Sequence, residues 1–170
     1  ECRCGVRAEE VLGGVATLSP DVPCSVTLPI DKPWGEFRTL LDVLKEYSFI
    51  QFVTIGNLAK DRTKIAFKDP VPEGLKGNFS GKPTWDLSND LIKQTYIKYG
   101  KRFTIIGVGS VFTPEDAYTK ITLGSSLVQL ATGMIFEGPQ LIGQINAYID
   151  EQLKTQHMTL QDVIGSAAHS

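Results

Sequence analysis

The residues best placed to do chemistry in this chain of 170 residues lie in two turns. Gly107-Val-Gly109-Ser110 ends the apolar run Thr104 to Val108, and Ala131-Thr132-Gly133 follows the run Ser126 to Leu130. Gly107 and Gly109 have no Cβ, so backbone can approach a ligand closely there. Gly-rich strand ends are common in α/β proteins, so the pair of turns carries the expectation rather than Gly107-Val-Gly109 alone. Two successive exits of this kind are how an eight-stranded α/β barrel grips phosphate after its seventh and eighth strands.

Other reactive side chains read more simply. Cys2-Arg3-Cys4 has the look of half a metal site, but no second Cys or His pair completes it. Three cysteines do not make a disulfide framework. Cys24 borders an apolar run and reads as a small core residue. His157 and His169 adjoin no candidate nucleophile or base and read as surface residues. Glu115-Asp116 suits the positive end of a helix dipole better than an acid/base couple. Asp61-Arg62 and Lys64 read equally as an anion lure or a solvated loop. Phe79 reads equally as the cover of a ligand edge or a plug. Trp34 and Trp85 read as packing anchors at helix starts.

The elements that position the two turns follow from periodicity. Strands are expected over Val22–Leu28, Phe49–Ile55, Thr104–Val108 and Ser126–Leu130. A helix over Pro33–Tyr47 has Phe37, Leu40, Leu41 and Leu44 at three- and four-residue steps. A second helix spans Thr84–Tyr99. Thr113-Pro114-Glu115-Asp116 starts a third, with a hydroxyl N-cap and Pro at N1. A long amphipathic helix over Gly138–His157 carries Leu141, Ile142, Ile145, Ile149 and Leu153 on one stripe. Met158–Gly165 adds a short helical tail. Gly56 to Pro83 is a long connection, and long loops inside compact domains are usually functional. The order β-α-β-α-β-α-β-α implies a parallel sheet with crossover helices. Both an open sheet and part of a closed barrel satisfy it.

Composition narrows the classes. An apolar fraction of 42% is that of a globular chain. A net charge of −2 with no basic run argues against nucleic acid as a partner. No apolar stretch approaches the ~20 residues needed to span a bilayer.

Five segments then carry a resemblance: Phe79-Ser-Gly-Lys-Pro83, Ile105-Ile-Gly-Val-Gly109, Glu115-Asp-Ala117, Ser126-Leu-Val-Gln-Leu130 and Glu137-Gly-Pro139. In this order and spacing the chain resembles the C-terminal half of dihydroorotate dehydrogenase, the quinone-using class in particular. The match is strong from Gly77 to Gly165, moderate from Pro23 to Lys76 and weak or absent before that. The resemblance implies an α/β fold, a (β/α)8 TIM barrel, with residues 1–170 supplying strands five to eight as the C-terminal portion of one domain.

It also implies FMN as cofactor and a set of contacts. Thr27 stands where the family has a flavin-contacting Lys, which removes a cation from reduced flavin. Thr54 matches the family's flavin-facing Thr. Asn57 matches its orotate-facing Asn after a two-residue shift. Asn78 stands at a flavin-contacting Gly. Gly109 and Ser110 fall on the family's Gly-Gly phosphate turn, where Ser110 adds a Cβ and a hydroxyl. Ala131-Thr132 replaces a Tyr-Thr pair, removing an aromatic ring. The family's catalytic Ser or Cys base and most of its orotate-binding Asn residues come from the other half of the barrel. No catalytic residue is therefore assigned here.

The implied activity is FMN-dependent oxidation of dihydroorotate to orotate in pyrimidine biosynthesis, as part of a longer or complemented enzyme. Implied partners are dihydroorotate or orotate, a quinone or other electron acceptor, and either the remaining half of the barrel or a homodimer mate. The implied location is cytoplasmic or peripheral at the inner face of a membrane. Two alternatives stand beside it. One is a non-catalytic half-barrel that binds a phosphate-bearing ligand or a partner chain. The other is a drifted flavoprotein paralogue with another substrate.

Overall fold

A computed structural model describes residues 3–17, 21–65, 74 and 76–169. Cys2 lies outside the described residues, and only the backbone of Cys4 is described. Four strands form one sheet in sequential order: β1 (Cys24–Leu28), β2 (Ile50–Ile55), β3 (Thr104–Val108) and β4 (Leu127–Gln129). All three pairings are parallel. A doubly wound sheet reverses its strand order at a switch point. This one does not, which is the arrangement of consecutive strands in part of a (β/α)8 barrel.

Three helices make the crossovers: α2 (Trp34–Leu44), α3 (Trp85–Tyr99) and α4 (Pro114–Thr122). They cover one sheet face because alternate strand residues point to it. Val53 is in register with Val26 and Ile105, and Ile55 with Leu28 and Gly107. Leu28, Val53, Ile55 and Ile105 are buried with Phe37 and Leu41 of α2 and Ile92 of α3. Burial of each such side chain stabilises the fold by roughly 1.5–3 kcal/mol. Trp34 stacks on Phe37 at 6.0 Å between centroids, an anchoring role.

The opposite face is different. Thr27, Thr54, Ile106 and Leu127 share one register row across the four strands. Thr27 is exposed and Leu127 is 54% exposed. Parallel sheets are ordinarily covered on both faces.

The structure departs from the sequence reading in several places. Helix α1 (Arg3–Ala16) precedes the first strand, where no element was expected. Its Gly13-Gly14 pair weakens local helix propensity, and Leu12 is buried only because α1 docks beside α2. A short helix α5 (Thr132–Glu137) grows directly from the turn after β4, and α6 (Gln140–Gln156) follows it. On α6, Leu141 and Ile145 are buried, but Ile142 is 48% exposed and lines an apolar groove beside β4 with Leu127 and Leu160. The stripe is thus wider than the surface available to cover it. α7 (Leu160–Val163) closes the chain.

The start of α4 forms as its sequence dictates. The Thr113 hydroxyl accepts from the Asp116 N–H at 3.2 Å, and the Asp116 carboxylate accepts from the Thr113 N–H at 3.0 Å. This capping box explains the acidic pair. His157 ends α6 in a left-handed conformation and is exposed, as is His169.

Candidate functional site

The turns after β3 and β4 meet at the C-terminal edge of the sheet, with the segment after β2 lying across them. Together they line a narrow crevice formed by Asn57, Gly109, Ser110, Val111 and residues 129–133. Gly109 has φ +96, a backbone that disfavours any side chain. A Cβ there would also lie 3.2 Å from the Asn57 Cβ and 3.3 Å from the Thr84 Oγ1. Gly133 is equally constrained, since a Cβ would overlap the Val111 carbonyl oxygen. Those two glycines allow three chain segments to converge.

Gly107 serves another purpose. It faces the helical layer, where a Cβ would collide with the Ser125 hydroxyl and crowd Ile92. Its lack of a side chain admits packing, not a ligand, which corrects the expectation for that residue.

The loop before α3 is tied to the crevice. Ala59 and Phe79 form an antiparallel bridge with N–H to O distances of 2.9 Å both ways. This draws the segment 77–84 toward the strand ends. Ser80 and Thr132 hydroxyls then pair at 3.0 Å. The Ser110 hydroxyl donates to the Gly81 carbonyl at 2.6 Å and lies 3.1 Å from the Thr84 hydroxyl. Ser110 sits at φ +61, a left-handed conformation unusual for a residue with a Cβ. Two tethers thus join the Gly81 loop to both turns. Arg62 covers the half-buried Phe79 ring at 5.0 Å. The Asp61 carboxylate caps the 3₁₀ turn Arg62–Lys64 through the Thr63 N–H and hydroxyl, and those bonds hold it below the usual carboxylate range. Lys64 donates to the Asp31 carbonyl. These residues build the loop; the rest of it, residues 66–73 and 75, lies outside the described residues.

Of the residues singled out from sequence, Asn57, Gly109, Ser110, Ala131 and Thr132 come together at the crevice. Thr27 and Thr54 are register neighbours on the open sheet face. Thr54 is buried and shares a 3.0 Å hydrogen bond with the Ser25 hydroxyl. Asn78 stands apart, exposed beside the Ala59–Phe79 bridge. Sequence reading missed Ser80, Gly81 and Thr84 as tethers, although Ser80 and Gly81 lie inside a quoted motif. It also missed Lys120, which is fully buried. The available signal was its helical spacing to buried Ala117, which sets Lys120 on the inward stripe of α4.

The residue types at the crevice are ones whose N–H and hydroxyl groups can donate to an anion such as phosphate. The lining residues Gly109, Ser110, Thr132 and Gly133 carry backbone N–H groups and Thr132 adds a hydroxyl, while the Ser110 proton is already given to Gly81; no carboxylate lines it. The cavity itself is about 10 Å³, room for the order of one water molecule. No hydrogen bond among the described residues holds the Asn57 or Gln129 side chain that narrows it. Among the described residues no group of three or more His, Cys, Asp or Glu side chains could hold a metal ion. No described helix is long and apolar enough to cross a membrane.

Known proteins share this sequence pattern and fold. The family model described as dihydroorotate dehydrogenase matches residues 7–153. The match begins within α1, so it reaches further toward the N-terminus than the motifs alone indicated. A dihydroorotate dehydrogenase (quinone) from Nostoc sp. (strain PCC 7120 / SAG 25.82 / UTEX 2576) is 31% identical over 148 residues, covering 84% of this chain and 39% of the relative. One from Trichodesmium erythraeum (strain IMS101) is 40% identical over 128 residues, covering 72% of this chain and 34% of the relative. The crystal structure of ligand-free DHODH from Eimeria tenella superposes with a TM-score of 0.69 at 26% identity, over 84% of this chain and 39% of that one. The same protein in complex with ferulenol gives 0.73 at 24% identity, over 87% and 39%, a likeness of fold. The chain therefore spans well under half the length of the relatives it matches.

Proposed function

Because the chain belongs to the dihydroorotate dehydrogenase family, we propose that it forms the phosphate-gripping part of an FMN-dependent oxidoreductase of pyrimidine metabolism. The observation that carries this is the convergence of Asn57, Gly109, Ser110, Ala131 and Thr132 on one crevice at the C-terminal edge of a parallel sheet. That edge is where α/β barrels place their chemistry. In this proposal β1 to β4 are strands five to eight, and residues 1–170 are the C-terminal portion of one barrel domain.

Gly109 and Ser110 would hold the phosphate through their N–H groups, and Thr132 through its N–H and hydroxyl. Thr54 and Thr27 would floor the ring, and Ala131 and Asn78 would border it. Asn57 would contact the pyrimidine substrate, dihydroorotate or orotate. FMN supplies a two-electron acceptor for the hydride that leaves dihydroorotate. The chain's own part is to orient and desolvate. Its crevice lining holds no cation, so phosphate charge would be met by oriented dipoles, which need no reorganisation. The proton-abstracting base, the remaining substrate contacts and the quinone or other electron acceptor would be met by the complementary half of the barrel. Adding FMN to the intact parent protein tests this. Stoichiometric yellow, protein-bound flavin is expected, and colourless protein after desalting would sink it.

A second reading is a non-catalytic half-barrel that covers its open edges with a mate. Ile135 at 79% and Phe136 at 74% exposure, with Leu127 on the open face, favour it. A monodisperse dimer by gel filtration, with no flavin absorbance, would decide for it. Turnover of another flavin substrate but not dihydroorotate would instead mark a drifted paralogue.

A further inference from the structure

Lys120 is fully buried between α4 and α3, yet no carboxylate pairs with it among the described residues. Its Nζ donates to the Asn89 Oδ1 at 2.8 Å and to the Ser88 Oγ at 3.1 Å. It also lies 5.3 Å from the centre of the Trp85 ring. An apolar side chain of the same length would fill this space without the cost of desolvating an amine. The amine adds direction. Because it donates to the Ser88 oxygen, the Ser88 proton is left to point elsewhere. It points at the Val108 carbonyl, 2.5 Å away.

Val108 is the last residue of β3, and its carbonyl shares one planar peptide with the Gly109 N–H. Fixing the oxygen fixes the direction of that N–H. We infer that Lys120 is a positioning residue, which sets the Gly109–Ser110 turn through the Ser88 hydroxyl and the Val108 peptide plane. The Ser110–Gly81 bond pins the same turn from its other end. The relevance to phosphate rests on the FMN reading above; the relay itself does not.

Burial pushes the Lys120 amine down to about 7, against the weaker pull of Asp116 on its own helix. The groups facing it from α3, namely Trp85, Ser88 and Asn89, do not titrate in that range. The relay therefore carries a pH signature. Amide NMR of this chain between pH 6 and 9 should show the Gly109 and Ser110 resonances stepping with the midpoint of the Lys120 amine. S88A should abolish that step while Lys120 still titrates, and K120M should abolish both. S88A and K120M should each weaken FMN binding about tenfold, with riboflavin, which lacks the phosphate, left unchanged. A step that survives in S88A, or turn amides that ignore the titration, would overturn the assignment. Should K120M not fold, S88A decides by itself. If the intact parent protein binds no FMN, the cofactor reading falls and the titration still tests the relay.

Discussion

The Ser110 hydroxyl donates to the Gly81 carbonyl across 2.6 Å, joining positions 29 residues apart. One bond thus couples the turn after β3 to the loop that opens α3. It holds Ser110 in a left-handed conformation that a residue with a Cβ rarely adopts, so bond and backbone cost oppose each other.

That opposition orders two variants against wild type. S110A keeps the left-handed residue and loses the bond, so it should destabilise by about 1–2 kcal/mol. S110G loses the bond but relieves the conformation, and should stay within about 1 kcal/mol of wild type. Urea midpoints compare them, and S110A as stable as wild type would show that the hydroxyl contributes nothing.

Gly133 and Gly143 should respond in opposite ways. G133A drives a Cβ into the Val111 carbonyl, a backbone collision that cannot relax cheaply, so a loss above about 3 kcal/mol is expected. G143A lies on α6 with open space around it and should gain roughly 0.5–1 kcal/mol from helix propensity. Thermal unfolding of both distinguishes a crowded crevice from a loose one.

Lys120 gives stability a particular pH dependence. Its amine falls from the ordinary 10.5 to about 7 on folding, mainly by burial. Between those values the unfolded chain binds more protons than the folded one. Stability should therefore rise with pH across that window, and the penalty is fully present below pH 7. The difference between wild type and K120M, followed by urea unfolding at pH 7, 8 and 9, should shift by on the order of 1 kcal/mol per pH unit. Parallel curves would mean the amine is charged throughout.

Tyr99 and Asp42 form a smaller test. The Tyr99 hydroxyl donates to the Asp42 Oδ1 at 2.7 Å. Burial, then this bond, raises the phenol above its ordinary range. Burial also pushes the Asp42 carboxyl up, but bonds from Lys45 and Tyr99 outweigh it, so the net shift is downward. Y99F should cost roughly 1 kcal/mol near neutral pH. The gap should close as pH falls through the carboxylate range, because a depressed acid loses its contribution on protonation. Urea unfolding of both proteins at pH 7 and pH 3 measures it.

What could be read directly was local. Thr113 and Asp116 are three residues apart, and their capping box forms as the sequence reads. The four strands announced themselves by apolar runs, and the two turns by glycine and hydroxyl residues. Asn57, Gly109, Ser110, Ala131 and Thr132 were legible through a resemblance, and the fold brings them to one crevice. Asn78, named on the same grounds, lies exposed away from it.

Tertiary structure decided the rest. Gly107 looked like Gly109, but the two residues meet different neighbours: Ser125 and Ile92 for one, Asn57 and Thr84 for the other. Helix α1, with its paired glycines, is held by contact with α2 rather than by its own propensity. Lys120 reads as one more surface lysine until α3 closes over it and supplies Ser88, Asn89 and Trp85 from about thirty residues away. Sequence determined the four strands, the crossover helices and the cap of α4 because those depend on neighbours within a turn. Only the folded chain decided which hydroxyl meets which carbonyl, because those partners are chosen by packing across the sheet.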